Sequence, residues 1–354
     1  AYDRIRLQAH QDFIAGIRAE AAKRGVPAIM VGMGSVMPEP EYTIPLDIQA
    51  GTDPHAAVYI LSRTSGEGSD RTPEAGDLRL TDTEIRDILT LNERFEKFLL
   101  VLNVGGVVDL SPLGDVGNIL LLSQLGATVG DAFADVLLGR AYPSGKFATT
   151  WAAWDEGDQI GDFGDPDDTH YREGIYVGYR FYDSVGKEPL LPFGFGMGYT
   201  TFDVQTRQVS LDGARVSIDV DVTNTGGYPG KETIQVYASV PAGRLDQPLQ
   251  ALAGFTKTDE ITPGATARIT VDVDLTDLAS YDEAARATVL EAGSYLLRAG
   301  TSSRQLSPVT VVELAQDATV RHLAGDLGEP GFTDWKPEAP AVLDIPAGLP
   351  VLTV

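Results

Sequence analysis

The chain has 354 residues, enough for two domains with ordinary hydrophobic cores. Its 43% hydrophobic and 22% charged residues are typical of a globular protein, and the absence of cysteine excludes disulfides, thiolate nucleophiles and zinc–thiolate sites. A formal net charge of −24 argues against nucleic acid and anionic membranes as partners, whereas neutral ligands such as sugars are not disfavoured.

The sequence predicts no metal site, because its histidines are scattered without metal-ligand spacing. No cofactor is predicted either. No apolar run approaches the roughly 18 residues that a membrane helix needs. No signal peptide opens the chain, although Ala1 need not be the first residue of the gene product. A cytoplasmic location is therefore favoured.

The first predicted element is a helix over Tyr2–Arg24, with apolar residues at helical spacing and Gly25 as its terminator. The apolar run at 28–31 then predicts a short buried strand. An α/β layer usually needs more strands before this point. We therefore expect the layer to be incomplete at its amino end, or to be finished by another chain.

A second strand is predicted at Ala56–Leu61, directly before the glycine-rich stretch Ser62–Arg71. Glu67 lies in this stretch between Gly66 and Gly68. Ligands of open α/β sheets bind at the carboxyl ends of the strands, where a desolvated, protonated Glu can donate a proton. A solvated turn has the same composition, so the loop alone leaves both interpretations open.

The next elements alternate between helix and strand. A capping box at 81–84 predicts a helix start, strands are expected at 98–102 and 119–122, and a further helix is expected to end at Gly139. This alternation predicts an α/β layered domain with a largely parallel sheet over residues 1–150.

The remaining chain has three predicted parts. Residues 151–200 form an aromatic and acidic loop connector, whose aromatic side chains either stack on sugar rings or cement neighbouring domains. Short alternating strands such as 216–222 predict an immunoglobulin-like sandwich over 201–312. Residues 313–354 are rich in proline and glycine and are interpreted as a linker.

Several motifs stand in one order along the chain: Ser62–Gly68, Leu137–Gly139, Pro143–Lys146, Glu173–Arg180 and Pro192–Gly196. Over about residues 28–312, their order and spacing resemble the family 3 glycoside hydrolases. The later Val222–Gly226 resembles the fibronectin type III-like domain of that family. The resemblance implies an α/β three-layer sandwich followed by an all-β immunoglobulin or fibronectin III-like sandwich.

The resemblance also implies an activity. Members of the family are retaining hydrolases of β-linked glucose, xylose or related sugars, with an Asp nucleophile on a (β/α)8 barrel and an acid/base Glu on the α/β sandwich. Glu67 matches that acid/base residue. The implied partners are a β-linked glycoside substrate and a barrel-bearing chain or segment, and the sugar-binding residues are not identified. Asp70 and Arg71 are expected to support the loop as an ion pair.

The barrel has no counterpart in this chain, since no eight-fold strand–helix pattern is present in the 354 residues and a barrel alone needs about 250. Thr333–Trp335 is similar in letters to the family's nucleophile motif, but prolines flank it, and we interpret the likeness as chance. Gln124–Gly126 and Phe163–Pro166 resemble a circularly permuted branch in which the barrel follows the fibronectin-like domain. Residues 313–354 would then lead to the barrel, and the chain alone is expected to be inactive.

Two other interpretations remain. In the first, the chain is a non-catalytic carbohydrate-binding or scaffold module derived from the same family, although the intact Ser65–Gly68 loop favours an enzyme. In the second, it is an α/β protein that binds a small molecule, but no phosphate-cradling glycine turn precedes a predicted helix.

Overall fold

The structure is a computed structural model that describes residues 2–33, 35, 37, 40, 42, 55–63, 71–123, 125–154, 160, 167–324, 331–342 and 344–354. The chain divides into two compact units, the first being Ala1–Leu137 with Trp151–Gly157 and the second Leu138–Thr150 with Asp158–Val354. The predicted boundaries at 150, 200 and 312 remain predictions. Within the described ranges, no helix has the length and apolar character needed to cross a membrane.

Two helices open the first unit, α1 at Tyr2–Arg24 and α2 at Ala28–Gly32. Helix α1 has the predicted bounds. Gly25 follows it with a φ of +68°, a left-handed conformation that glycine adopts without strain.

Helix α2 corrects the strand predicted at 28–31. Pro27 precedes it with a φ of −60°, and the carbonyl of Pro27 accepts the amide of Met30 at 2.9 Å, which closes the first turn. The side chains of Ile29 and Met30 are 71% and 64% exposed, so the run is not a buried one. A short apolar run does not by itself distinguish a strand from a helix.

A parallel sheet forms the centre of the first unit, with the strand order β1 (Ala56–Ser62), β2 (Lys97–Asn103), β3 (Ile119–Leu121). Helix α3 (Asp82–Arg94) connects β1 to β2, and helix α4 (Val129–Leu137) follows β3. The predicted strands and helices are confirmed here. Since β1, β2 and β3 run in one direction, their carboxyl ends meet at one edge of the sheet.

Helix α3 begins with the predicted capping box. The hydroxyl of Thr81 accepts the amide of Glu84 at 3.1 Å, and the Glu84 carboxylate accepts the amide of Thr81 at 2.9 Å. The buried face of the helix, with Ile88 and Leu91, packs against strand β2. The cap therefore fixes the start of α3 in the chain, and the apolar face fixes its position on the sheet.

The described residues of the second unit are all-β apart from helix α5 (Tyr179–Ser184) and a 3-10 turn at Leu275–Leu278. Its strands are β4 (Phe202–Asp212), β5 (Arg215–Asn224), β6 (Thr233–Ser239), β7 (Ala251–Lys257), β8 (Thr266–Asp274), β9 (Ser280–Asp282), β10 (Ala287–Leu290), β11 (Gly293–Ser302), β12 (Gln305–Leu314), β13 (Ala318–His322) and β14 (Val351–Thr353). They form sheets in the orders β4-β5-β8, β14-β12-β11-β6-β7 and β13-β10-β9.

The core of this unit is a layer of aliphatic side chains between the sheets β4-β5-β8 and β14-β12-β11-β6-β7. Val216, Ile218, Val220 and Val222 of β5 are fully buried. Residues of β8, the neighbouring strand in the same sheet, and of β6 and β11 in the other sheet are buried in the same core. This period-two burial confirms the predicted sandwich.

Helix α5 lies within the segment predicted as loops. Gly178 precedes it with a φ of +57°, and Tyr179, Phe181 and Tyr182 are buried. The helix is too short for its periodicity to be recognised in the sequence, and the packing of its aromatic side chains stabilises it.

The described residues of 313–354 make specific contacts with the rest of the second unit. Strand β13 pairs with β10, and β14 pairs in parallel with β12. Between them, Trp335 packs against Tyr176 and Phe181, with ring centroids 5.4 and 5.3 Å apart. The linker role expected of this segment remains a prediction, but its described residues are bound to the second unit.

Asn224 ties three turns together at the end of β5. It is fully buried, and its Nδ2 donates to the carbonyls of Tyr228 and Ile261 at 2.7 and 2.8 Å. Its Oδ1 accepts the hydroxyl of Thr200 and the amide of Gly226 at 2.6 and 3.1 Å. Every polar atom of this side chain is therefore used to position main chain around it.

We predict that Asn224→Ala lowers the free energy of unfolding of the second unit by about 2–4 kcal/mol, because the four hydrogen bonds of a fully buried side chain are lost. Urea denaturation measures this loss. The matched control is Thr225→Ala, since the Thr225 hydroxyl is exposed and, among the described residues, bonds to the Thr201 hydroxyl alone, at 2.9 Å. The control should cost less than about 0.5 kcal/mol, and equal losses in the two variants would contradict the assignment.

Candidate functional site

The candidate site lies at the carboxyl edge of the parallel sheet. Where β1 ends, the amide of Arg63 donates to the carbonyl of Asn103 at 3.2 Å, the last residue of β2. The chain then enters 64–70, which contains Glu67 and Asp70 and lies outside the described residues. The roles of Glu67 and Asp70 remain predictions, so the site is defined by the residues that flank this segment.

Arg63, directly before the segment, is held by a buried ion pair. Its Nη1 and Nη2 each lie 2.7 Å from a carboxylate oxygen of Glu84, and both side chains are only 4% exposed. Its Nε donates to the main-chain oxygen of Asp77 at 2.9 Å. Glu84 is also part of the α3 capping box, so one carboxylate closes the helix start and neutralises the arginine.

Arg71, directly after the segment, is held in a similar way. Its Nε lies 2.7 Å from Oδ1 of Asp77, and Nη2 donates to the main-chain oxygen of Asp77 at 2.9 Å. Its Nη1 donates to the carbonyl of Val107 at 2.6 Å and passes Gly106 so closely that an added Cβ there would lie 3.2 Å away. Asp77 is thus its described partner, and the ion pair predicted with Asp70 remains untested.

Asp77 has a carboxylate that favours the ionised state. Its Oδ2 accepts the amide and the hydroxyl of Thr72 at 2.7 and 3.2 Å. Burial raises the pKa of Asp77, but the hydrogen bonds from Thr72 and Arg71 outweigh burial and hold the pKa below its ordinary value. The stability that this carboxylate provides is present at neutral pH and is lost as the pH falls through the lowered pKa.

Sequence reasoning singled out Arg71 and the capping residue Glu84 but missed the ion pair and Asp77. The available signal was the pair of arginines that bracket the glycine-rich stretch, since a guanidinium that packs into the fold requires an acidic partner. Among the described residues, no group of three or more His, Asp or Glu side chains is arranged to hold a metal.

The aromatic side chains of the predicted connector are mostly packed. Tyr176, Tyr179, Phe181 and Tyr182 are buried, whereas Tyr171 is 62% exposed. A ring that stacks on a sugar needs an open face, so the buried rings fit the packing interpretation.

The segment that resembles a nucleophile motif lies against the same part of the chain. The amide of Trp335 donates to the carbonyl of Arg172 at 2.6 Å. A Cβ added to Gly174, whose φ is +52°, would lie 2.9 Å from Oδ2 of Asp334. These contacts give Asp334 and Trp335 a packing role, and the interpretation of the motif as chance remains a prediction.

A cavity of about 420 Å³ lies in the second unit, between residues 239–249 and 336–345. The hydroxyl of Tyr176 donates to Asp246 at its wall, at 2.8 Å. The hydroxyl of Ser239, also in the wall, is buried without a hydrogen-bond partner in the described structure. The volume is within the range of small-molecule sites.

Comparison with known families matches both units. Residues 4–199 match the glycosyl hydrolase family 3 C-terminal domain, and residues 232–303 match a fibronectin type III-like domain.

Individual proteins are similar over most of the chain. β-Glucosidase A of Butyrivibrio fibrisolvens is 34% identical over 340 residues, which cover 81% of this chain and 41% of the relative. A β-glucosidase of Ruminococcus albus is 35% identical over 266 residues, which cover 72% of this chain and 28% of the relative.

A solved structure is also similar. It is β-glucosidase 3B of Thermotoga neapolitana in complex with α-D-glucose, with a TM-score of 0.70 and 38% identity over 75% of this chain and 38% of that protein. The chain therefore spans less than half the length of each of these three proteins.

We predict that Glu84→Gln lowers the free energy of unfolding of the first unit by about 3 kcal/mol, because Gln retains the cap but leaves the Arg63 guanidinium buried without an opposite charge. Thr81→Ala, which removes only the cap, should cost about 1 kcal/mol. Urea denaturation of both variants gives the order. A Glu84→Gln loss no larger than that of Thr81→Ala would contradict the importance of the ion pair.

Proposed function

The chain belongs to glycoside hydrolase family 3, and we propose that it supplies the general acid/base residue Glu67 to a retaining β-glycosidase. The nucleophile comes from a barrel-bearing segment outside these 354 residues. One observation carries the proposal: the segment that contains Glu67 is flanked by the buried Arg63 at the sheet edge and by the anchored Arg71. An acid/base residue needs such fixed flanks, because proton transfer requires hydrogen-bond distance to the substrate oxygen.

The substrate is proposed to be a β-linked glucoside or a related glycoside. The relatives named above are β-glucosidases, and one is solved with glucose. The net charge of −24 accords with a neutral ligand.

The proposed reaction has two steps. Neutral Glu67 donates its proton to the glycosidic oxygen while the barrel Asp attacks the anomeric carbon, which releases the alcohol and forms a glycosyl ester. The Glu67 carboxylate then takes a proton from water, whose oxygen attacks the same carbon and releases a sugar of retained configuration. Retention requires the two carboxyl groups to lie about 5–5.5 Å apart.

Arg71 is proposed to support the loop through Asp77, and Asp70 is proposed to assist from within the loop. The contacts of Arg71 with Asp77 and Val107 favour this role, since they fix the residue at which the loop rejoins the described chain.

A non-catalytic carbohydrate-binding or scaffold module is the second candidate function. The 420 Å³ cavity of the second unit favours it, because a sugar would occupy such a volume without any need for Glu67. The two functions differ in whether turnover depends on Glu67.

We predict that the purified 354-residue chain does not hydrolyse a p-nitrophenyl β-glucoside above the uncatalysed rate, since it lacks the attacking carboxylate. Release of p-nitrophenol measures this activity. Sustained turnover by the chain alone would show that the nucleophile is in this sequence.

In the assembled enzyme, meaning this chain with its barrel segment, Glu67→Gln should lower kcat/KM for a phenyl β-glucoside by about 10²–10⁴-fold. A 2,4-dinitrophenyl substrate should lose much less in its first step, because that leaving group needs no proton, and azide should restore turnover as glycosyl azide. The matched control is Glu74→Gln, which changes an exposed carboxylate near the same loop. Loss without azide rescue, or no loss, would contradict the acid/base role.

A further inference from the structure

Both flanks of the segment 64–70 bind one residue, Asp77. Its main-chain oxygen accepts Nε of Arg63 and Nη2 of Arg71, each at 2.9 Å. Its carboxylate accepts Nε of Arg71 at 2.7 Å and the amide of Thr72 at 2.7 Å. The residue before the segment and the two after it are therefore tied to a single point of the fold.

That point is itself fixed. Asp77 is in a turn in which its amide donates to the carbonyl of Glu74 at 3.1 Å and the amide of Gly76 donates to that of Arg79 at 2.9 Å. Gly76 has a φ of +92°, which a residue with a Cβ would adopt only with strain. The turn leads directly into the capped start of α3, so Asp77 is positioned by the rigid part of the unit.

We infer that Asp77 is the positioning residue of the acid/base loop: it holds the entry and exit of the seven residues 64–70 and so sets where Glu67 can reach. This inference rests on the proposed function. Arg63, Arg71, Thr72 and Asp77 together form what we call the Asp77 clamp. The side chain of Asp77 acts through Arg71 and Thr72, and Asp77 does not itself contact the substrate.

The carboxylate of Asp77 also supplies the negative charge for Arg71. Charge-assisted bonds of this kind are roughly twice as strong as neutral ones, and an arginine left without its carboxylate keeps a charge that must find new partners. Removing the carboxylate therefore weakens the hold on Arg71, which keeps only its bonds to the main-chain oxygens of Asp77 and Val107, whereas Arg63 stays bound through Glu84. The contacts of the Asp77 carboxylate with Arg71 and Thr72 can therefore be removed without removing the contacts of Arg63.

The first test uses trypsin on the 354-residue chain. Trypsin must draw an arginine into its own specificity pocket, and the engaged guanidinium of Arg71 opposes this. Asp77→Asn should accelerate cleavage after Arg71 by about ten-fold or more. Asp87→Asn is the control, because Asp87 also pairs with an arginine, Arg86 at 2.9 Å, and is 10% exposed against 11% for Asp77. Equal cleavage rates for native protein and Asp77→Asn would overturn the clamp.

The second test compares leaving groups in the assembled enzyme. A misplaced acid harms a substrate that needs a proton more than one that does not, so Asp77→Asn should lower kcat/KM for phenyl β-glucoside about ten-fold more than for 2,4-dinitrophenyl β-glucoside. A merely structural role lowers both equally, and that result would overturn the positioning role.

Glu67→Gln, measured with the same two substrates, distinguishes failure of the acid/base role of Glu67 from failure of the positioning role of Asp77. If Glu67→Gln discriminates between the leaving groups and Asp77→Asn does not, only the inference on Asp77 fails. If Glu67→Gln lowers both equally, the acid/base assignment fails and the positioning role fails with it, while tryptic cleavage still reports whether the clamp exists. Asp87→Asn should match the native enzyme on both substrates.

Discussion

The buried ion pair between Arg63 and Glu84 is the contact on which the candidate site depends. A guanidinium at 4% exposure is tolerated only with an opposite charge and satisfied hydrogen bonds, since an unpaired buried charge costs several kcal/mol. Glu84 is held in place by the capping box with Thr81. The end of β1 is therefore fixed to the start of α3 by a polar contact with defined geometry, and segment 64–70 follows this fixed point in the sequence.

A second carboxylate, Asp77, does for Arg71 what Glu84 does for Arg63. Both arginines that flank the loop thus have acidic partners at 2.7 Å. This matters for a general acid, which must hold its proton until the substrate oxygen takes it. An unpaired guanidinium nearby would favour the ionised carboxylate and lower its pKa. The described flanks of segment 64–70 are therefore anchored by guanidinium groups whose charges are compensated by carboxylates.

Local pattern predicted much of the fold, and long-range contacts account for what it missed. The capping box of α3 and the alternating strand 216–222 were recognisable because cap chemistry and period-two burial act between near neighbours in sequence. The helix α2 was mistaken for a strand because four apolar residues carry no period. The pairs of Arg63 with Glu84 and of Arg71 with Asp77 depend on how turns fold back, which no local spacing encodes. The prediction that ligands bind at the carboxyl ends of the parallel strands rests on topology alone.

An experimental structure of the assembled enzyme, with a 2-fluoro glycoside bound to its nucleophile, would show where Glu67 lies. The distance between the Glu67 carboxyl and the nucleophile carboxyl is the decisive measurement. We predict about 5–5.5 Å, the separation that retention requires. A separation of about 9 Å or more, or a Glu67 carboxyl directed into the interior of the first unit, would contradict the acid/base role of Glu67 in a retaining reaction.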